Sequence, residues 1–260
     1  MTAPNKSLGQ HWLYDRPTLE YIADCAELTK KDTVLEIGPG LGTLTSALLR
    51  QAGNVHAVEF DAQLAKKLPG QFPGTNLTVC NEDILKFDFA QLPENYKVVA
   101  NVPYYITSKI VERLMTAENK PSVAVLLVQK EVAERLAATP GNMSILAVSA
   151  QLFAHVELGE TVPAELFTPP PKVDSAVVIM KTLDTPRITS KNERALFRLV
   201  KAGFSAKRKK LRSSISGGLG ISKEQAELFL QKSGIDSNAR AEDLSIDEWL
   251  TFLESGVITA

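Results

Sequence analysis

The chain has 260 residues, 44% of them hydrophobic, and a formal net charge of −1. That is enough to bury a sizeable core divided between one large and one small domain, and the charge balance excludes a globally basic nucleic-acid binder. Two cysteines, Cys25 and Cys80, and three histidines without ligand spacing exclude a disulfide framework and a metal site. The longest apolar stretch, Val123–Val128, is far too short to span a bilayer, and the N-terminus carries no apolar signal region, so a soluble, cytoplasmic protein with no membrane partner is expected.

In chain order, Asp15-Arg16-Pro17 reads as the start of a helix, with Pro tolerated in its first turn and the helix running over Thr18–Leu28. A short buried strand, Thr33–Ile37, runs into Gly38-Pro39-Gly40-Leu41-Gly42 and then a helix over Thr43–Gln51. Strand, glycine turn and helix is the order that a nucleotide-type cofactor needs. Glycines let the backbone approach a ligand, and the helix N-terminus offers unpaired N–H donors to a carboxylate. The dinucleotide fingerprint G-x-G-x-x-G fails at Thr43, which weakens a nicotinamide reading.

The next strand, Asn54–Glu59, ends in an acid about 20 positions beyond the glycines, the spacing for a ribose hydroxyl contact. A third, Asn76–Cys80, leads to Asp83, whose carboxylate can accept from an adenine amino group. A solvated loop is the commoner fate of any single acid. Regular placement after successive strands favours a shared crevice, because ligands of open α/β sheets sit at the strands' carboxyl ends.

The strand Lys97–Asn101 continues into Val102-Pro103-Tyr104. An exocyclic adenine amine is a poor nucleophile because its lone pair is delocalised into the ring. Methylating it requires acceptors that draw the N–H bonds out of plane. Asn101 offers its side-chain carbonyl, Val102 a backbone carbonyl held extended by Pro103, and Tyr104 a face on which a base can stack. The bland alternative is a Pro turn with Tyr104 and Tyr105 as half-buried aromatics.

A further strand over Ser122–Gln129 completes a strand–helix alternation that implies a parallel sheet covered by helices. Ala154–Val162 and Val173–Leu183, joined by a proline segment, are expected to close one edge as a hairpin-like pair. Beyond the linker Asp184–Arg187 the character is helical, with capping-box spacings at Ser190/Glu193, Ser222/Gln225 and Ser245/Glu248. The predicted domains are thus 1–184 and 185–260. No acid occurs from Arg194 to Lys223, and Lys207, Arg208, Lys209, Lys210 and Arg212 crowd one stretch of it. A solvated helix face is the usual fate of such a run, but without acids for i,i+4 pairs a polyanion partner such as an RNA backbone explains it better.

Several segments together resemble a known family, the S-adenosylmethionine-dependent ribosomal RNA adenine dimethyltransferases. They are Lys6–Asp15, which is similar to the signature G-Q-N-F-L-x-D, then Glu36–Gly42, Asn101–Tyr104, Gln129–Ala133 and Phe167–Ser175, followed by the basic run near Lys207. The resemblance covers nearly the whole chain. It implies an α/β Rossmann-like class I methyltransferase sheet with a small all-helical C-terminal domain. It also implies S-adenosylmethionine as cofactor and transfer of methyl groups, two per adenine, to small-subunit (16S-type) ribosomal RNA, by a monomer acting on the immature small subunit during its maturation.

Carried over by position, His11 and Leu13 close over the cofactor, Gly38 and Gly40 line its loop, Glu59 holds the ribose and Asp83 reads the adenine. Asn101 stands between cofactor and substrate, Tyr104 lies beside the target base, and Phe167 is a second stacking surface unless it merely pins the prolines to the core. The chain departs from the pattern at His11, where the family has Asn, and at Trp12, where it has Phe. Three other readings stay open: a DNA adenine methyltransferase, a large-subunit RNA methyltransferase conferring antibiotic resistance, and a non-catalytic ribosome-assembly factor.

Overall fold

A computed structural model describes residues 10–258, so the Lys6–Gly9 part of the N-terminal signature lies outside the described residues. Contacts group residues 10–134 and 154–182 into one compact unit and residues 135–153 and 183–258 into a second.

The first unit begins with β1 (Trp12–Leu13) and α1 (Arg16–Asp24). The side chain of Asp15 accepts from Thr18 N, with Pro17 in the first turn. The helix stops at Asp24 rather than running to Leu28, and Glu27 takes a left-handed φ of 49°. The elements that follow are β2 (Thr33–Ile37), α2 (Thr43–Gln51), β3 (Asn54–Glu59), α3 (Ala62–Lys67), β4 (Leu77–Asn81), β5 (Lys97–Asn101), α4 (Thr107–Thr116) and β6 (Val123–Gln129). After α5 (Lys130–Leu136) and α6 (Ile145–Gln151) come β7 (Ala154–Val162), β8 (Phe167–Thr168) and β9 (Ser175–Thr182).

Seven strands form one sheet in the order β4-β3-β2-β5-β6-β9-β7, parallel from β4 through β6. The pair expected to close one edge does so: β9 runs antiparallel to β6, and β7 antiparallel to β9. Val98, Val99, Ala100 and Ala124–Val128 are all buried, as parallel strands covered on both faces require. The short strands β1 and β8 form a separate antiparallel ribbon that pairs Trp12 with Thr168 and Leu13 with Phe167. Two residues per strand are too few to read from a periodicity of two.

The second unit contains α6 with α7 (Ser190–Gly203), α8 (Leu211–Leu219), α9 (Lys223–Lys232) and α10 (Ile246–Glu254). Residues 135–153 group here, although the sequence assigns them to the domain spanning 1–184. Their backbone ties explain it: the N–H groups of Gly141 and Met143 both donate to the Glu242 carbonyl, at 2.9 and 3.0 Å. Partners so far along the chain leave no local mark. Ser222 and Ser245 form reciprocal capping boxes with Gln225 and Glu248. Ser190 does not, because α7 starts on it and Thr189 takes the cap position without a side-chain bond. No helix among the described residues is long and apolar enough to cross a membrane.

Trp249 is fully buried against Phe204 and Phe252. Its ring approaches Gly203 so closely that any Cβ there would collide with it. Gly203→Ala is therefore expected to destabilise the helical unit by about 1–3 kcal/mol through overpacking, read as a lower urea midpoint.

Candidate active site

The cavity opens at the carboxyl ends of the parallel strands. β2 delivers Glu36 and Ile37 and then the glycine turn; β3 delivers Glu59; the loop after β4 delivers Asp83, Ile84 and Leu85; β5 delivers Asn101. Chain order reverses between β2 and β5, which are paired neighbours. The glycine turn and the Asn101 turn therefore meet at a topological switch point, where such sheets bind ligands. Of the residues singled out from sequence, His11, Leu13, Gly38, Gly40, Glu59, Asp83, Asn101 and Tyr104 all line this one cavity.

The turn needs its glycines. Gly38, Gly40 and Gly42 have φ of 66°, 57° and 82°, and a Cβ on Gly40 would strike the Trp12 ring. Glu59 holds the turn in place: one carboxylate oxygen accepts from Gly40 N at 3.0 Å and the other from Asp61 N at 2.8 Å. Burial pushes the Glu59 carboxyl up, and these two N–H groups pull it back. Asp83 accepts from Leu85 N at 2.9 Å and so shapes its own loop. Arg113 on α4 braces the same loop by donating to the carbonyls of Leu85 and Phe87.

Asn101 donates from Nδ2 to the His11 carbonyl at 3.3 Å, which leaves its Oδ1 as an acceptor. Val102, almost fully buried, is held by its N–H on the Leu127 carbonyl at 3.1 Å. The His11 ring stacks on Tyr104 with centroids 5.9 Å apart and planes 20° from parallel. Burial pushes the Tyr104 phenol up, while its bond to the Ser175 hydroxyl, at 2.6 Å, pulls the other way.

Two expectations need correction. Phe167 is not part of the cavity wall: its ring is 2% exposed and sits in the core cluster with Leu13, its partner across the ribbon. The stacking surface expected there is instead a pin between the proline segment and the core. Arg212 is not a free cation, because it pairs with Glu227 of α9 at 2.9 Å. The acid-free run excluded partners along its own helix but could not show one on the next. Lys210 donates to Asn238 at 2.6 Å. Lys207, Arg208 and Lys209 are exposed between α7 and α8 and make no ion pair among the described residues.

Other cavity residues escaped the sequence reading. Phe60 lies 62% exposed beside Glu59, and a bulky apolar residue just after a strand-end acid was the available signal. Glu36 is 1% exposed, and neither carboxyl oxygen has a hydrogen-bond partner among the described residues. The Trp12 indole N–H is likewise buried and unpartnered. Burial drives the Glu36 carboxyl up to about 8; the nearby Thr45 hydroxyl favours ionisation without reaching bonding geometry, and the charge of Glu59 opposes it. An acid inside a hydrophobic strand hinted at this group, but only packing decided its burial.

The sequence profile of the family described as ribosomal RNA adenine dimethylase matches residues 1–256. A "Ribosomal RNA small subunit methyltransferase A" of Dehalococcoides mccartyi is 42% identical over 248 residues, which cover 94% of this chain and 85% of that one. The protein of the same name from Clostridium botulinum is 41% identical over 251 residues, 94% and 91% of the two chains. Among solved structures, a dimethyladenosine transferase from Plasmodium falciparum superposes with a TM-score of 0.80 at 28% identity, over 95% of this chain and 97% of that one. The 23S rRNA methyltransferase ErmE superposes with a TM-score of 0.77 at 31% identity, over 94% and 98%.

The buried Glu36 has a consequence for stability. Between its ordinary value of 4.5 and about 8, the folded chain keeps a proton that the unfolded chain has released. Folding stability contributed by this group therefore falls as pH rises through that window, by at most about 1.4 kcal/mol per pH unit. Urea titrations at several pH values should show this slope for the ligand-free protein and a flatter one for Glu36→Gln.

Proposed function

The chain belongs to the ribosomal RNA adenine dimethylase family, and on that footing we propose that its cavity transfers methyl groups from S-adenosylmethionine to the N6 amine of adenines in small-subunit ribosomal RNA, two per adenine. The observation that carries the proposal is the pose of Asn101. Its amide nitrogen is tied to the His11 carbonyl, its oxygen is left to accept, and it lines the same cavity as the glycine turn.

The wall suits the cofactor. Glu59 can accept from ribose hydroxyls with the lone pairs that Gly40 and Asp61 leave over, and Asp83 can accept from the adenine amino group. Phe60, Ile84 and Leu85 give that adenine apolar walls. The orphaned Glu36 carboxyl and Trp12 N–H suit an amino-acid end: an ammonium beside Glu36 would favour release of the proton that burial retains and pair with the carboxylate, and the indole N–H can donate to a ligand carboxylate. When bound, S-adenosylmethionine supplies an electrophilic methyl on a sulfonium, which calls for neither metal nor protein nucleophile.

What remains for the protein is alignment. The Asn101 oxygen and the Val102 carbonyl would each accept a hydrogen bond from one N6–H, pull the amine out of conjugation and aim its lone pair at the methyl; as an N6–C bond replaced the C–S bond, one N6 proton would be released to solvent. Tyr104 takes the flipped-out base on its ring face. Exposed loops of an immature subunit, in the cytoplasm, are where an adenine is most cheaply unstacked. Lys207, Arg208 and Lys209 supply phosphate contacts that carry affinity and no sequence preference. The small-subunit reading is preferred over a large-subunit one because relatives at 41–42% identity carry the small-subunit name, whereas ErmE stands at 31%.

Two measurements test this. Asn101→Ala should lower methyl incorporation into small-subunit RNA by at least about a hundredfold while calorimetry finds cofactor binding largely intact; full activity would overturn the assignment. Replacing Lys207, Arg208 and Lys209 together by Ala should reduce the slope of log affinity against log salt by about two. An unchanged slope would remove RNA contact from that loop.

A further inference from the structure

One sequence motif has no task in the transfer as described: the segment from Phe167 to Ser175, whose aromatic residue turns inward to the core. Its polar atoms nevertheless reach two residues of the cavity wall. The Pro169 carbonyl lies 2.7 Å from His11 Nδ1. A carbonyl can only accept, so Nδ1 is the nitrogen that carries a proton and donates it there. The Ser175 hydroxyl, fully buried at the start of β9, lies 2.6 Å from the Tyr104 hydroxyl. Just before the first anchor the ribbon pairs Trp12 with Thr168 and Leu13 with Phe167, which fixes the backbone next to His11. The two stacked rings of the cavity wall are thus each pinned by one end of this segment.

We infer that this segment is the positioning frame of the base pocket, with Ser175 and His11 as positioning residues that govern the second methyl transfer more than the first. The inference rests on the dimethylation reading given above. With the His11 ring over one face of Tyr104, the target base has the opposite face to stack on.

The asymmetry between the transfers follows from counting hydrogens. Adenine presents two N6 hydrogens, one for the Asn101 oxygen and one for the Val102 carbonyl. After the first transfer only one hydrogen is left, so one of the two bonds that orient the base is gone. Orientation then depends more heavily on the stacking surface, and a ring free to tilt costs the second step more than the first. A frame that pins Tyr104 through its hydroxyl and His11 through Nδ1 removes that freedom without touching the reacting atoms.

The test is a time course of mono- and dimethyladenosine formed in small-subunit RNA, quantified by mass spectrometry of nucleosides, with cofactor affinity measured by calorimetry on each protein. Ser175→Ala and Tyr104→Phe are each expected to lower the dimethyl-to-monomethyl ratio on the order of tenfold. For Ser175→Ala, which lies outside the cavity wall, the first transfer and the cofactor affinity should change far less. The double variant of Ser175 and Tyr104 should match the single ones, because both remove the same bond.

If wild type dimethylates and the Ser175→Ala and Tyr104→Phe ratios stay at its value, or their effects simply add, the inference is overturned while the proposed function stands. If Ser175→Ala loses cofactor binding and so fails to fold, Tyr104→Phe decides alone. A wild-type protein that methylates no adenosine in ribosomal RNA overturns the function itself and the frame with it.

Discussion

Strand β5 pairs with β2 and not with β4, and the chemistry proposed for this chain depends on that choice of neighbour. The chain lays β2, β3 and β4 outward in one direction, then returns to the middle of the sheet to start β5 and β6 in the other. Two turns that are far apart in sequence, the glycine turn and the Asn101 turn, leave adjacent strand ends and open away from each other. A crevice at that point has backbone on both sides and no strand crossing above it.

Around that crevice the chain spends buried polar groups in pairs that hold shape. The Glu59 carboxylate fixes the glycine turn through Gly40, and Arg113 fixes the loop that carries Asp83 through two carbonyls. The His11 carbonyl fixes the amide of Asn101. In each case the polar group that faces the cavity is oriented by a partner that does not belong to the ligand. The methyl transfer proposed asks for alignment rather than acid–base power, and preorganisation of this kind is what it would draw on.

The departures from the family pattern fit the same frame. A His at position 11 keeps its backbone carbonyl on Asn101 and adds a ring that stacks on Tyr104, held by Pro169. A Trp at position 12 fills the space above Gly40, where no side chain could stand. Larger rings at both positions make the wall of the cavity an aromatic one, braced from the segment that precedes β9.

The parallel strands and their order along the chain were legible in the sequence, because strand propensity, glycine turns and strand-end acids are local signals, and β2, β3, β5 and α2 lie where they were expected. The cavity residues Gly38, Gly40, Glu59, Asp83, Asn101 and Tyr104 were legible for the same reason, each sitting at a strand end or within a short motif, whereas His11 and Leu13 were placed only by the family resemblance. Only the tertiary structure could turn Phe167 into the core, pair Arg212 with Glu227, bury Glu36 without a partner, join residues 135–153 to the C-terminal helices and bring Ser175 to Tyr104. Each of those outcomes depends on a group distant in the chain, and local propensity carries no record of which distant group a side chain will meet.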